Sequence, residues 1–389
     1  MKGIYLDNAS TSFPKAPLVA NAISDFILNG GCNINRGGYE SAYEAEELVY
    51  ETRRLLCSLF NGDDCKLTAF TKNITESLNI VLKGLLRPGD DVLVSSMEHN
   101  AVMRPLVQLS HRGISFRRIP CLCDGSLPTQ TLEQTLLSLI KPSTRAVVMT
   151  HASNVCGTVL PIAEVGEICR RHGIFFIVDS AQTAGILPID MKKYNISALC
   201  FTGHKGLLGP QGIGGFLLRH GLEKEIEPLL SGGTGSLSHT EDVPSFMPDR
   251  FEAGTLNLPG IVGLNASLKY LDSIDNGTIL AHELMLTQRF LTGLEDIDGV
   301  LPVGKTGVQG RVGVVSVSIP SMDIAQAAYR LDSEYGIMTR VGLHCAPSAH
   351  KTLNTFPTGT LRFSFGYQNT SDEIDFALDS LKRIVSGSR

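Results

Sequence analysis

The stretch Phe201–Gly215, FTGHKGLLGPQGIGG, places a histidine and a lysine in front of a run of glycines. The amine of Lys205 could form an imine with an aldehyde cofactor if burial or a neighbouring cation lowers its pKa. A nucleotide-binding loop is excluded, because the phosphate-loop pattern is absent and Gly212, Gly214 and Gly215 lack the third glycine of GxGxxG. The stretch therefore predicts a reactive lysine whose glycines shape the turn that holds it.

Side chains elsewhere in the chain supply the other groups that such a cofactor needs. Pyridoxal phosphate requires an acid for its ring nitrogen, a donor for its phenolic oxygen, a stacking ring and a phosphate cradle. Asp179 ends an apolar run and suits the ring nitrogen, and Gln182 lies three residues further on and could reach the phenolic oxygen. His99, after another apolar run, offers a ring to stack.

The phosphate cradle is predicted at a helix N-terminus. Thr71–Leu85 reads as the start of a helix, and the free N–H groups at such a start bind phosphate. Thr75 and the amides beside it are the expected cradle, helped by Thr202 and His204. Each residue alone also fits a structural role, such as capping a helix. Their combination, with the lysine following the acid along the chain, favours the cofactor.

Alternating strands and helices would position these residues. Apolar runs at 90–100, 145–154, 174–182 and 198–205 each end in polar side chains, and 162–173 has the apolar spacing of a helix. This alternation predicts an α/β layer with a largely parallel sheet. Ligands of open sheets bind beyond the carboxyl ends of the strands, where the predicted site residues would meet.

The pattern changes after about Asn257. Residues 257–274 read as a long connecting helix, and 311–320 and 359–366 alternate as half-buried strands around a helical segment at 323–336. We therefore predict three parts: an N-terminal segment, 1–20, packed with the small domain; a large cofactor-binding α/β domain, 21–257; and the connecting helix with a small α+β C-terminal domain, 258–389.

The composition fits a globular protein. Of the 389 residues 43% are hydrophobic and 19% charged, and a net charge of -5 without a basic run argues against nucleic-acid binding. No apolar stretch approaches the ~20 residues that span a bilayer, and the N-terminus lacks the apolar region of a secretory signal, so we expect a cytoplasmic protein. The nine cysteines include no CxxC pair, so most should be buried thiols and no metal site is predicted.

Eight motifs follow one another along the chain: YLDNAS, ITESLN, EHN, SNVCGTV, VDSAQ, TGHKGLLGPQGIG, FEAGT and RVGLHCA. In type and order they resemble the class V aminotransferase family of fold type I pyridoxal-phosphate enzymes, and within it the cysteine desulfurases and selenocysteine lyases. The resemblance covers nearly the whole chain. It implies a large domain with a mostly parallel seven-stranded sheet and a smaller α+β C-terminal domain.

The resemblance also implies roles for single residues. Lys205 would carry pyridoxal 5'-phosphate, Asp179 would bind its ring nitrogen and His99 would stack on its ring, with Gln182 and Asn154 near the phenolic oxygen. A contact from a partner subunit would make the functional unit a homodimer with shared active sites, near Asn33–Gly38. The phosphate-binding residues implied are Ile74, which lacks the hydroxyl common at this position, Thr75, Thr202, His204 and, from the partner subunit, Thr255.

Cys345 lies in a polar, non-periodic stretch, MTRVGLHCAPSAHKTL, predicted to be a loop between a helical segment and the last strand. A thiolate is a strong nucleophile, whereas the other eight cysteines fit buried thiols. In a desulfurase, L-cysteine would replace Lys205 on the cofactor and the freed lysine would move protons. The Cys345 thiolate would then attack the substrate sulfur, giving an enzyme persulfide and L-alanine.

Two arginines are the expected ligands of the substrate carboxylate. Arg362, in GTLRFSFG, resembles the arginine that fills this role in the family, and its fork suits bidentate binding. Arg340 precedes Cys345 by five positions and matches the RxGxHCA form of the SufS-like group, with Asn154 as a further substrate contact. Val341 and Leu343 depart from that group, which leaves the sulfur acceptor and the choice between sulfur and selenium open.

Other functions remain possible from the sequence. The nearest alternative is a selenocysteine lyase, or a C–S lyase that releases its product directly. A cofactor-free binding or scaffold protein is less favoured, because such a protein would not need to keep all four of Lys205, Asp179, His99 and Cys345. A hydrolase using Cys345 with His344 is a poorer fit, because adjacent residues rarely align a base with its neighbour's sulfur and Lys205 would have no role.

Overall fold

The chain forms three sheets, of seven, four and two strands. A computed structural model describes residues 3–35, 37–237, 239–274 and 277–387. The strands in chain order are β1 (Ile4–Tyr5), β2 (Thr68–Thr71), β3 (Asp91–Ser95), β4 (Ser115–Ile119), β5 (Thr144–Thr150), β6 (Phe175–Asp179), β7 (Ala198–Thr202), β8 (Gly214–Leu218), β9 (Leu301–Val303), β10 (Val314–Ser318), β11 (Ile337–Met338), β12 (Arg340–Gly342) and β13 (Thr360–Ser364).

Helices connect most of these strands. A π-helical turn, Phe26–Gly30, extends the first helix, and single 3₁₀ turns occur at Cys65–Leu67 and Asp249–Phe251. No helix in the described ranges is long and apolar enough to cross a membrane. The α-helices are α1 (Val19–Asp25), α2 (Glu40–Leu59), α3 (Ile74–Leu85), α4 (Asn100–Ser110), α5 (Thr129–Leu139), α6 (Ile162–Arg171), α7 (Leu222–Glu225), α8 (Leu258–Asp272), α9 (Thr278–Leu294), α10 (Ile324–Tyr335), α11 (Pro347–Thr352) and α12 (Ser371–Ser386).

The seven-stranded sheet has the order β2-β8-β7-β6-β5-β3-β4. All neighbours are parallel except β8, which runs antiparallel to both β2 and β7. The predicted mostly parallel sheet of seven strands is therefore confirmed. In its register Thr150 pairs with Asp179, and Asp179 pairs with Cys200, two residues before β7 ends at Thr202. The ends of β5, β6 and β7 thus meet at one edge of the sheet.

Both faces of this sheet are buried. Val92 and Val94 of β3 pack into one core together with Ile177, whereas Leu93 and Val147 pack into the core on the opposite face. A strand that is buried on both faces needs apolar side chains at every position, which explains the continuous apolar runs of the sequence. The rigid layer that results positions the polar residues that follow each strand.

The four-stranded sheet is antiparallel, with the order β12-β13-β10-β9. Its strands β10 and β13 were expected to be half-buried, and this is wrong, because nearly all of their residues are buried. One face packs with Phe290 and its neighbours in a third core, and the other face lies against the large sheet's loops. There the Ser316 hydroxyl donates to the Val155 carbonyl at 2.6 Å.

The N-terminal segment and α8 join these layers. β1 pairs in parallel with β11, and Asp7 bridges to Ser364, so the first residues lie along the small sheet. The predicted connecting helix, α8, lies along α2, where Asn265 donates to the Thr52 hydroxyl at 3.1 Å. The division at 20/21 and 257/258 remains a prediction.

A buried ion pair anchors the FEAGT motif. The Nη2 of Arg53 lies 2.6 Å from Oε2 of Glu252, and both side chains are about 6% exposed. The Phe70 amide donates to the same carboxylate at 2.6 Å. The pair therefore ties α2, β2 and the segment before α8 together, with little access for solvent.

Removal of one partner of this pair should strongly destabilise the fold. We expect Glu252→Ala to lower the free energy of unfolding by about 3–5 kcal/mol, because Arg53 would keep a buried charge without its counter-ion. Urea denaturation would measure this change. The matched control is Glu225→Ala, which removes the exposed pair with Arg145 and should cost about 0–1 kcal/mol. Equal effects of the two substitutions would contradict the role given to Glu252.

Candidate active site

Lys205 lies three residues after β7, at the edge where the polar strand ends meet. The pKa of its amine is lowered to about 8, mainly by burial, with Arg362 and Arg340 acting in the same direction and the Asp179 carboxylate opposing them. The lysine lines a small cavity of about 40 Å³ together with Gln182. Gln182 donates its amide to the Ala9 carbonyl at 3.1 Å. A lysine in these surroundings releases its proton near neutral pH, as a nucleophilic amine must.

Asp179 is the last residue of β6 and only 2% exposed. Its Oδ1 accepts a hydrogen bond from the Ala181 amide at 2.9 Å. Burial raises the pKa of its carboxyl, and the positive charge of Lys205 works in the opposite direction. A buried carboxyl of this kind is stabilised when a cationic ring nitrogen binds to it.

His99 caps the N-terminus of α4. Its Nδ1 accepts a hydrogen bond from the Ala101 amide at 3.0 Å, so the ring proton resides on Nε2. Burial, followed by the charge of Lys205, lowers the pKa of His99 to about 4. The ring is therefore neutral at physiological pH, and it is half-buried beside Lys205, which suits it for stacking on a flat cofactor.

Two buried polar atoms at the end of β7 lack a hydrogen-bond partner. They are Oγ1 of Thr202 and Nδ1 of His204, and neither has a partner among the described residues. Burial lowers the pKa of His204 to about 4. Such unsatisfied atoms are rare in folded proteins and mark a place where a ligand can supply the missing bonds. Both atoms fit the phosphate cradle predicted from the sequence.

The N-terminus of α3 lies beside these atoms. Thr202 pairs with Gly214 across the sheet, and a Cβ at Gly214 would lie only 2.9 Å from Cα of Asn73. Gly214 thus allows β8 to approach the helix start closely. The Asn73 side chain caps the Glu76 amide at 3.0 Å, and the first helical residues, Ile74 and the exposed Thr75, have no intrahelical partner for their N–H groups. These N–H groups complete a site that fits a phosphate.

The N-terminal segment holds the peptide bond between His204 and Lys205 in place through hydrogen bonds. The carbonyl of His204 accepts four hydrogen bonds, which come from the Ser12 amide at 2.9 Å, the Thr11 and Ser12 hydroxyls at 3.1 and 3.2 Å, and Nζ of Lys15 at 2.8 Å. Burial lowers the pKa of Lys15 to about 8. This contact was missed from the sequence, where a single lysine after a proline carries no signal.

Loss of the Lys15 clamp should impair the position of Lys205 without unfolding the protein. We expect Lys15→Met to lower kcat about tenfold, since a small misplacement of a reacting group is costly. Lys15→Arg should retain most activity, because it keeps the charged donor. The exposed Lys141→Met serves as the matched control. Steady-state kinetics and the pH dependence of the bound cofactor's visible absorbance would measure the effect, and unchanged values in Lys15→Met would contradict it.

Cys345 is exposed at a strained turn. His344 and Cys345 both have positive φ values, 47° and 57°, a conformation that residues other than glycine rarely adopt. The stretch predicted as a loop in fact contains the end of β11 together with β12 and α11, and Cys345 lies between β12 and α11. The Asn100 amide donates to the Cys345 carbonyl at 2.8 Å, and Nδ2 of Asn154 donates to the His344 carbonyl at 2.7 Å. These bonds fix the backbone of Cys345 against the start of α4, which directly follows His99.

His344 is not placed to activate the thiol of Cys345. Its ring is buried, and its Nε2 lies 3.0 Å from the Thr360 hydroxyl, away from the exposed Cys345. Burial, together with the positive charge of Arg362, lowers the pKa of His344 to about 2. A ring that resists protonation in this way is a poor general base, which weighs against a Cys–His hydrolase.

Arg362 is buried at the bottom of the site. Its Nη1 donates to the Asn154 carbonyl at 3.0 Å, and its Nη2 contacts Asp7 at 2.7 Å and the Ser10 hydroxyl at 2.8 Å. Its Nε has no partner in the described chain, which leaves a donor for a substrate carboxylate. The exposed Arg340 donates to the same Ser10 hydroxyl at 2.7 Å. Asp7 and Ser10 belong to the YLDNAS motif, but their roles were not predicted.

Glu98 is a further buried residue that the sequence did not single out. It accepts the Thr150 amide at 2.9 Å and also bonds the Ser95 hydroxyl, so it joins β3 to β5 directly before His99. The pKa of Glu98 is raised to about 8, mainly by burial, with the Asp179 carboxylate acting in the same direction. The polar strand end that contains it was noted, but a carboxyl kept protonated by burial has no signature in sequence.

Thr255 is not brought together with the other predicted site residues within one chain. It is exposed and lines a separate cavity of about 310 Å³ with Asn33, Asn35 and Thr234. Of the Asn33–Gly38 stretch, Arg36 lies outside the described residues. No three metal-ligating side chains in the described ranges could hold a metal ion.

Comparisons with known proteins agree with this geometry. The sequence matches the Aminotransferase class-V family over residues 4–376. It is 35% identical to a probable cysteine desulfurase of Methanothermobacter thermautotrophicus, covering 98% of this chain and 94% of that protein, and 32% identical to a cysteine desulfurase of Escherichia coli, covering 98% and 93%.

Solved structures give the same result. The apo structure of a cysteine desulfurase from Thermococcus onnurineus NA1 superposes with a TM-score of 0.90 at 31% identity, over 99% of this chain and 95% of that one. The cysteine desulfurase CsdA of Escherichia coli superposes with a TM-score of 0.87 at 28% identity, over 100% and 96%. The fold type I architecture is thereby confirmed, and the chain belongs to the class-V aminotransferase family.

Proposed function

We propose that the chain is a pyridoxal-phosphate-dependent cysteine desulfurase that converts L-cysteine to L-alanine and collects the sulfur as a persulfide on Cys345. The names of its relatives support the activity. The observation that carries it is the meeting of three groups at one sheet edge: a lysine with a lowered pKa, a buried acid on the adjoining strand and an exposed cysteine held beside His99.

Pyridoxal phosphate fits the unsatisfied groups of this site. When bound, it withdraws electrons from the α-carbon of an amino-acid substrate and so labilises the bonds around that carbon. Asp179 would bind its ring nitrogen, His99 would stack on the ring, and Gln182 and Asn154 would lie near its phenolic oxygen. The phosphate would be held by Thr202, His204 and the N–H groups of Ile74 and Thr75, where hydrogen-bond donors lack partners.

The arginines would orient the substrate. The Nε of Arg362, which has no partner in the described chain, would donate to the carboxylate of L-cysteine, and Arg340 adds charge from the surface side. Asp7 and Asn154 hold the guanidinium of Arg362 in place. The amine of Lys205, whose pKa burial lowers to about 8, would take up and release a proton at the substrate near neutral pH.

Cys345 would take the sulfur. Its thiolate attacks the sulfur of L-cysteine, so that an S–S bond forms and the substrate C–S bond breaks. The electron pair of the broken bond remains with the substrate carbon, which takes up a proton and becomes L-alanine. The exposure of Cys345, at a turn with a left-handed backbone, supports this step, because the thiol is accessible.

A homodimer with shared sites would complete the phosphate cradle. Thr255 of the partner subunit would reach the cofactor, and this fits its exposure and its distance from the other phosphate ligands within one chain. Glu252, three residues before Thr255, pairs with Arg53 and so ties the start of this segment to α2. A cytoplasmic location remains a prediction from the sequence.

The proposed activity can be tested on purified protein supplied with pyridoxal phosphate. L-Cysteine should yield alanine and protein-bound or reductant-released sulfur in equal amounts. L-Selenocysteine should be compared at the same concentrations. Failure to form alanine from L-cysteine would contradict the proposal, and a strong preference for selenocysteine would favour the selenocysteine lyase alternative.

A further inference from the structure

A groove of about 290 Å³ runs along the surface next to Cys345. We call it the cationic groove and define it by Asn100, Arg104, Arg118, Pro347, Ser348 and Lys351, which line it. It lies between the start of α4, the end of β4 and the start of α11. It is open to solvent and separate from the cavity that Lys205 lines.

Three positive side chains face this groove without a counter-ion. Arg104, Arg118 and Lys351 are exposed, and none of them forms an ion pair with another residue that the structure describes. Arg118 contacts Ser348 at 3.5 Å, and the Lys351 ammonium lies over the Phe356 ring at 5.1 Å. No described residue lining the groove carries a carboxylate.

This local charge contrasts with the rest of the molecule, whose net charge is -5. Some exposed cations elsewhere on the surface do form ion pairs, as Arg145 does with Glu225 and Arg171 with Glu133. Unpaired cations of one sign in a concave surface focus the electric field and attract anionic partners. The groove therefore favours an acidic ligand.

The groove lies close enough to Cys345 for a ligand bound in it to reach this cysteine. Asn100, one of its lining residues, donates its amide to the Cys345 carbonyl at 2.8 Å. Pro347 and Ser348 lie two and three residues after Cys345, at the start of α11. Exposed Phe356 and Val107 add apolar surface around the charges, as expected for a surface that contacts a polypeptide.

We propose that the cationic groove docks an acidic polypeptide segment that carries the sulfur-accepting thiol. The proposal rests on the proposed function, since it requires a persulfide on Cys345. The acceptor thiolate attacks the outer sulfur of that persulfide. A new S–S bond forms on the acceptor, the bond to Cys345 breaks, and Cys345 leaves as a thiolate, so that the acceptor now carries the persulfide and no external oxidant or reductant is consumed.

The test uses two synthetic peptides with one cysteine each, flanked by glutamates in one and by lysines in the other. The holoenzyme is first loaded with one equivalent of L-cysteine, and transfer of sulfur to each peptide is then timed. We expect transfer to the acidic peptide to be about tenfold faster than to the basic one at low salt, with the difference shrinking as salt is added. Uncharged dithiothreitol measures transfer without docking.

Charge reversal in the groove should invert the preference. Arg118→Glu/Lys351→Glu should slow transfer to the acidic peptide about tenfold and speed transfer to the basic one, while transfer to dithiothreitol stays the same. Lys382→Glu/Arg383→Glu on α12 changes the net charge equally and is the matched control. Equal rates for both peptides on the unmodified enzyme, or equal slowing with dithiothreitol, would overturn the proposal.

A binding measurement separates this proposal from the proposed function. The labelled acidic peptide, with serine in place of its cysteine, should bind the unmodified protein more tightly than the Arg118→Glu/Lys351→Glu variant in fluorescence anisotropy. This result does not depend on persulfide formation. If the acidic peptide binds the unmodified protein weakly and the variant equally weakly, the groove is not a docking site. If the peptide binds tightly but no persulfide forms on Cys345, the docking site stands and the proposed reaction is wrong.

Discussion

Lys205→Ala is expected to abolish alanine formation from L-cysteine, with a loss of at least about a thousandfold. The amine of Lys205 is the group that would hold the cofactor and later move protons. Its lowered pKa, about 8, arises from burial and from Arg362 and Arg340, so the neutral amine is available near physiological pH. Visible absorbance of the purified variant after dialysis would measure the lost covalent attachment, and a coupled alanine assay would measure the lost turnover.

Two controls separate the chemistry of Lys205 from its charge. Lys205→Arg keeps a positive charge but cannot attach a carbonyl group, so it should be as inactive as the alanine variant. A small primary amine added to Lys205→Ala should restore part of the activity, because it replaces the missing proton carrier. Full cofactor retention after dialysis in either variant would contradict the role given to Lys205.

Cys345→Ser should lose all persulfide and lower alanine formation from L-cysteine at least about a hundredfold, because a hydroxyl is a far weaker nucleophile than a thiolate. Cofactor binding should be unchanged, since Cys345 is exposed at a turn and is not one of the proposed cofactor ligands. Alanine and sulfur assays on the same sample would measure both losses. Cys123→Ser, at another exposed cysteine, is the matched control and should behave like the unmodified enzyme.

The same variant distinguishes the alternative functions. A lyase that releases its product directly would retain much of its turnover in Cys345→Ser, because the cysteine would take no part in cleavage. A desulfurase would retain cofactor and lose sulfur transfer. Persistence of L-cysteine turnover in this variant would therefore move the assignment to the direct C–S lyase.

Much of the large sheet could be predicted because the burial of each strand is visible in the strand's own residues. Strands buried on both faces must be apolar throughout, and parallel strands bring their carboxyl ends to one edge. Asp179 and Thr202 therefore had to lie near each other once their strands were recognised. The small sheet was harder, because the alternation in 311–320 and 359–366 predicted half-buried strands. In the structure these side chains bind carbonyl groups of the loops after β5.

The positioning contacts of the site depend on distant parts of the chain. Lys15 lies 189 residues from the His204 carbonyl that it binds, and no pattern in the sequence connects them. The left-handed backbone at His344 and Cys345 was equally hidden, since neither residue is a glycine. Reactive groups such as Lys205 could be recognised by type, whereas the groups that hold them emerge only from the fold.

The most direct test of the central claim is a single turnover without reductant. The holoenzyme receives one equivalent of L-cysteine per chain, and the products are analysed by amino-acid analysis and by mass spectrometry of the peptide containing Cys345. The account predicts one alanine per chain and the added mass of one sulfur atom on Cys345. Alanine with free sulfide and an unmodified Cys345, or sulfur on another cysteine such as Cys123, would contradict it.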